Sequence, residues 1–121
     1  MADLLQLEKA IWSDIQTLSI RIKDHRKAVD IFANAQHLYY NAKGARTMEL
    51  RAKGEPSTII IDLVKEDKNV GKLRLERDIA KGLMDNYYQA IGAIKSSLSA
   101  VQSLLAVERA KIDKGLFESG D

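Results

Sequence analysis

Apolar residues return along the first forty positions in a seven-residue rhythm. Leu4, Ile11, Leu18, Phe32 and Tyr39 form one row, and Ile15, Ile22 and Val29 form a second, four residues on from the first. Alternating steps of four and three keep such residues on one stripe of an α-helix facing a partner. In this phase position 25 is His25 and position 36 is Gln36, so polar groups interrupt the stripe, weakening its packing and setting its register. The pattern predicts one helix over about residues 3–43, roughly 60 Å long at 1.5 Å per residue.

Gly44 is expected to end or bend that helix, with Ala45 to Lys53 as a helical continuation. The clearest break is Gly54-Glu55-Pro56, because proline cannot continue a helix and disfavours helical geometry at the residue before it. Gly54 stands where a left-handed residue commonly closes a helix. Pro56-Ser57-Thr58 then supplies a helix start, with the hydroxyls suited to capping free N–H groups. The β-branched run Ile59-Ile60-Ile61 competes locally for strand, yet a lone strand would leave its backbone unpaired, so Ile59 to Val64 reads as a short helix. Its Ile59, Ile60 and Val64 are expected to fold back onto the long helices.

Asp67 or Asn69 can cap a second long helix over about residues 70–114. Its stripe reads Leu73, Ala80, Tyr87, Ile94 and Val101, with Met84, Ile91, Leu98, Leu105 and Ile112 beside them. Gly115 should end it and leave a frayed tail over 115–121. The fold class is therefore all-α: a single helical domain over 1–121, in which two long amphipathic helices form an antiparallel α-hairpin around a connector at about 45–66. Further apolar residues widen the arc on each long helix, namely Leu5, Trp12, Ile31 and Leu38 on the first and Ile79, Leu83 and Leu104 on the second. Two helices bury one seam, so these seven form a candidate core or oligomer seam, and a second subunit, as a dimer or higher assembly, is expected to cover what the connector does not.

Composition narrows the setting. Hydrophobic residues make up 45% of the 121 and charged residues 30%, while one proline and seven glycines leave little material for a turn-rich β fold. The absence of cysteine excludes disulfide and thiolate chemistry and gives no sign of an oxidising compartment. The first residues, with Asp3 and Glu8, do not read as a secretory signal, and the longest aliphatic run is Ile59-Ile60-Ile61, so neither export nor a membrane span is expected. The expected place is the cytoplasm.

Catalytic chemistry is not legible. His25 and His37 lie twelve residues apart, which turns them about 120° on one helix, and neither follows a glutamate by three residues as a di-iron bundle requires. Glu76 and Asp78 are two positions apart and face different ways, unlike the acidic clusters that hold magnesium in helical nucleotide pyrophosphohydrolases. No phosphate loop, nucleophile elbow or nucleophile paired with a base is present. No catalytic residue, metal ligand or cofactor is expected, and the chain does not read as an enzyme.

The distinctive feature is a basic run about the central break: Lys43, Arg46, Arg51 and Lys53, then Lys65, Lys68, Lys72, Arg74 and Arg77. If the hairpin closes there, these cations converge at one end and form a candidate phosphate or nucleic-acid contact, interrupted by Glu49, Glu55, Asp62, Glu66, Asp67, Glu76 and Asp78, which would pair them locally instead. Tyr39 and Tyr40 near the same end are candidates to stack on bases, although a residue in the register of Tyr39 is more often core. Arg21, Lys23, Arg26 and Lys27 form another basic patch. A net charge of only +2 permits nucleic-acid binding without arguing for it.

Leu50-Arg51-Ala52-Lys53-Gly54-Glu55-Pro56-Ser57-Thr58-Ile59-Ile60, then Leu63-Val64-Lys65, Val70 and Lys72-Leu73-Arg74-Leu75-Glu76-Arg77-Asp78-Ile79-Ala80, resemble a family of small helical proteins from phages and prophages of Gram-positive bacteria. The similarity is centred on residues 50–98 and includes Tyr88-Gln89-Ala90-Ile91. The chain departs from the family at Leu75, where an aromatic is usual, and lacks its Glu-Arg-Glu-Trp ending. The resemblance implies a phage accessory protein of the replication and recombination region, without implying an activity. Three roles are expected to compete: a self-associating protein that binds a host or phage protein, a nucleic-acid-binding accessory, and an anti-defence inhibitor or nucleotide-sequestering oligomer.

Overall fold

A computed structural model of the chain describes residues 3–119, and side chains as far as residue 115. Every described element is helical: α1 (Leu4–Ala52), α2 (Ser57–Glu66) and α3 (Lys68–Ser119). α1 begins at a reciprocal cap. Asp3 Oδ1 accepts the Gln6 N–H at 2.8 Å, and Gln6 Oε1 accepts the Asp3 N–H at 3.4 Å, satisfying two donors that a helix start leaves free.

α1 does not stop near residue 43; it passes through Gly44 as one helix to Ala52. A mid-helix glycine costs only about 0.5–1 kcal/mol relative to alanine, and the turns beyond it are held by Leu50 in the core. Closure comes at Gly54, which takes a left-handed φ of 81°. The Gly54 N–H donates to Arg51 O at 3.0 Å and the Glu55 N–H to Leu50 O at 3.1 Å, the paired bonds of a Schellman close.

α2 starts without the expected hydroxyl cap. Its cap residue is Pro56, in extended geometry, which offers only its carbonyl to the Ile59 and Ile60 N–H groups at 3.0 and 3.1 Å, and no side-chain cap bond forms. Asp67 then serves both neighbours: its N–H donates to Val64 O at 3.3 Å, and its Oδ1 accepts the Val70 N–H at 2.9 Å to cap α3. One residue therefore separates α2 from α3. Gly115 does not end α3, which continues to Ser119; residues 120–121 of the expected tail lie outside the described residues.

The chain divides into two compact units, a terminal one of Met1–Asp24 with Tyr87–Asp121 and a central one of His25–Asn86. In each, α1 and α3 pack antiparallel as a hairpin. The central unit has a core of Leu50, Ile60, Val64 and Val70, drawn from all three helices, with Ala42 and Leu63 packed against it. Ile60 and Val64 are one helical turn apart and point inward together, whereas Ile59, expected to fold back, and Ile61 face outward.

The terminal unit is thinner. Among its described residues Leu7 and Leu105 are the buried ones. Ser97 Oγ donates to Asp14 Oδ2 at 2.9 Å across its two helices, and Arg109 stands 3.8 Å from Glu8.

The α3 stripe packs as expected apart from Ile112, which is exposed. On α1 the first row holds, with Leu4, Ile11, Leu18, His25 and Phe32 half-buried and Tyr39 buried. The second row holds at Ile22, which is half-buried, and is corrected at its other two positions. Ile15 and Val29 are exposed, at 42% and 38%, and the seam instead follows steps of three through Leu7, Asp14, Arg21, Ala28, Ala35 and Ala42. A step of three turns about −60° and a step of four about +40°, so both rows flank the first one, and the residues across the seam choose between them. Ser97 receives Asp14, and alanines admit a close approach.

Candidate functional site: a basic cavity in the central unit

The nine cations about the break do not form one face. Arg46 pairs with Glu49 at 3.0 Å and with Asp67 at 3.3 Å, and Lys53 reaches Glu49 at 3.2 Å. Hydrogen bonds from Lys53 and then Arg46 hold the Glu49 carboxyl below its ordinary pKa. Arg77 bonds Asp78 at 2.9 Å, which raises its already high pKa, and lays its guanidinium 4.4 Å from the Tyr39 ring centroid. Lys68 and Lys72 are exposed and lie outside the cavity described next. Of the second basic patch, Arg21 is paired with Asp24 at 3.2 Å.

The remaining four, Lys43, Arg51, Lys65 and Arg74, line one cavity of about 440 Å³. Its other walls are Tyr39, the hydroxyl residues Thr47 and Ser57, and an apolar floor of Ile60, Ile61, Val64 and Val70, with no carboxylate in the lining. None of the four cations is in an ion pair among the described residues.

Local structure explains the convergence. Lys43, Thr47 and Arg51 are spaced i, i+4, i+8 and share one face of α1. Lys65 lies in the last turn of α2 and Arg74 in the second turn of α3, which the single-residue link at Asp67 brings together. Arg74 is held in place because its Nη2 donates to Lys65 O at 3.0 Å, while its Nε is buried without a hydrogen-bond partner. Thr47 Oγ1 donates to Lys43 O at 2.8 Å, which leaves its lone pairs to accept. The Lys43–Thr47–Arg51 spacing was legible in the sequence; the meeting with Lys65 and Arg74 depends on the turn geometry.

Tyr39 is the core residue its register favours, 8% exposed, and Arg77 covers one face of its ring, so it offers no open stacking platform. Tyr40 is exposed, with its ring centroid 5.4 Å from that of Tyr39. His37 Nε2 lies 3.1 Å from Asn41 Nδ2, and His25 is half-buried; the described residues contain no group of three or more potential metal ligands.

The seven residues of the candidate seam are all exposed and take no part in the core of the single chain. Leu5, Trp12 and Leu104 belong to the terminal unit, and Ile31, Leu38, Ile79 and Leu83 to the central unit. Tyr88, Val107 and Ile20 add to the exposed apolar surface of the terminal unit, a set that the heptad reading missed. Counting aliphatic runs also overlooked one property of α3: between Lys68 and Gly115 it holds an 18-residue window of mean hydropathy 1.4, long and apolar enough by length and composition to cross a membrane, and 6% of that window is buried.

These features define an all-α hairpin protein with a basic, acid-free cavity. No protein-family model, curated protein or solved structure matches the chain.

Proposed function

We propose that this is a non-enzymatic assembly protein that self-associates through the open apolar faces of its long helices and works by binding a host or phage protein. One observation carries the reading: among the described residues of the terminal unit Leu7 and Leu105 are the buried ones, while Leu5, Trp12, Ile20, Tyr88, Leu104 and Val107 are exposed. Each large apolar side chain left in water forfeits about 1.5–3 kcal/mol, against a total domain stability of about 5–15 kcal/mol. The cover must be present whenever the chain is folded, and the one surface always available to a newly folded chain is another copy of itself. The phage setting, and with it a bacterial cytoplasm, rests on the resemblance over residues 50–98.

Of the other roles, a nucleic-acid-binding accessory would need a continuous row of available cations, and Arg46, Lys53 and Arg77 are already engaged by Glu49, Asp67 and Asp78. Sequestration of a small anion draws more support, from the cavity. Sedimentation equilibrium at micromolar concentration tests self-association, with a dimer or higher assembly as the expected result. A folded, stable monomer overturns it, as does co-flotation with lipid vesicles that replaces self-association.

A further inference from the structure

We infer that the cavity of the central unit is a binding site for a small organophosphate of the nucleotide class, its phosphates held by Arg51, Lys43, Lys65 and Arg74 and its less polar part resting on Ile60 and Val64. This does not depend on self-association, because every residue of the cavity belongs to the central unit.

Four cations that line one cavity with no carboxylate among them repel one another, and a solvated protein surface ordinarily intersperses acids to relieve this. Of the acids about the break, Glu49 pairs with Arg46 and Lys53, Asp67 with Arg46 and the α3 cap, and Asp78 with Arg77, and none of the acids lines the cavity. An anion of charge two or more would relieve the repulsion and supply acceptors for the guanidinium and ammonium donors.

The geometry selects a phosphate ester over a bare ion or a polymer. Arg74 is pre-positioned by its bond to Lys65 O, and its Nε is a buried donor without an acceptor. Ser57 and Thr47 add hydroxyls to the lining. The floor is aliphatic, suited to an apolar or heterocyclic group and of no use to inorganic phosphate. The volume of about 440 Å³ falls in the range of small-molecule sites, about 300–1,000 Å³, and a cavity of that kind takes one ligand end rather than the length of a strand.

Isothermal titration at fixed ionic strength with AMP, ATP, pyrophosphate and a single-stranded dodecanucleotide tests the assignment. The expected result is binding of AMP or ATP more tightly than of pyrophosphate, with one site per chain. R51Q and K65Q, which remove exposed cations of the lining, should each weaken binding roughly tenfold, as loss of one charged hydrogen bond does, whereas K53Q, outside the cavity, should leave it unchanged. Circular dichroism melts of all three variants verify that each is folded. Absence of nucleotide binding at millimolar concentration overturns the inference. So does equal affinity for pyrophosphate and ATP, binding of the oligonucleotide alone, or full affinity in R51Q and K65Q.

Discussion

The central and terminal units are made from the same two helices, yet they bury their apolar residues differently. In the central unit a third helix, α2, lies against α1 and α3, and four large or medium aliphatic residues from three helices form a closed cluster. In the terminal unit two helices meet alone, along a seam that carries Asp14 and Arg21, with Leu7 and Leu105 as its fully buried side chains. The difference teaches that ten residues of extra helix convert a seam into a core. Where that third layer is missing, cover has to come from outside the hairpin.

The largest expected effect separates the two units directly. Leu50→Ala removes a side chain that is 4% exposed inside the central cluster, and should cost about 2–5 kcal/mol in urea unfolding, as cavities in closed cores do. Leu98→Ala in the terminal unit removes a half-buried side chain. Its cost should be smaller in dilute protein and grow with concentration if a second copy covers the face. Equal costs at all concentrations would remove the contrast.

Gly54→Val comes next. No atom lies within 4 Å of an added Cβ, so the penalty comes from backbone conformation alone. At a φ of 81°, a branched side chain should lose about 1–2 kcal/mol or more. Hydrogen exchange should report the loss chiefly over residues 45–70, in the central unit. Parental melting behaviour would mean that the Schellman close does not set the position of α2.

The smallest effect is electrostatic. Glu49 has a lowered pKa in the folded chain, so its ion pairs stabilise fully above the ordinary carboxylate pKa and fade as pH falls through the folded value. The group is exposed and solvent-screened, so the difference is modest. Parent and Glu49→Gln should differ in melting temperature near neutral pH, more at low salt, and converge on acidification. A difference that persisted below the folded pKa would assign the effect to packing.

Much of the fold was written in local signals. The Gly54-Glu55-Pro56 break and the Asp67 cap each act through hydrogen bonds within a few residues, so a reader of the chain alone can place them. Gly44 and Gly115 misled for the same reason. Glycine lowers helix propensity locally, and the packing or propagation of the turns around it overrides so small a cost. Of the site, the nine cations were legible as a set. The division into those engaged by acids and the four that line a cavity was not, because Arg46 meets Asp67 across a gap in sequence that closes only when the Gly54-Glu55-Pro56 break folds α2 back against α1.

By itself the sequence determined the all-helical class, the three elements and the first row of each seam, because a helix of period 3.6 sorts residues into faces without reference to any partner. Tertiary structure alone decided between the two flanking rows of α1, giving the seam to Asp14 and Ala28 and leaving Ile15 and Val29 outside. Both rows are within reach of an apolar arc wider than one seam, and the choice is made by what α3 offers opposite, such as the Ser97 hydroxyl on Asp14, which no periodicity along a single chain can encode.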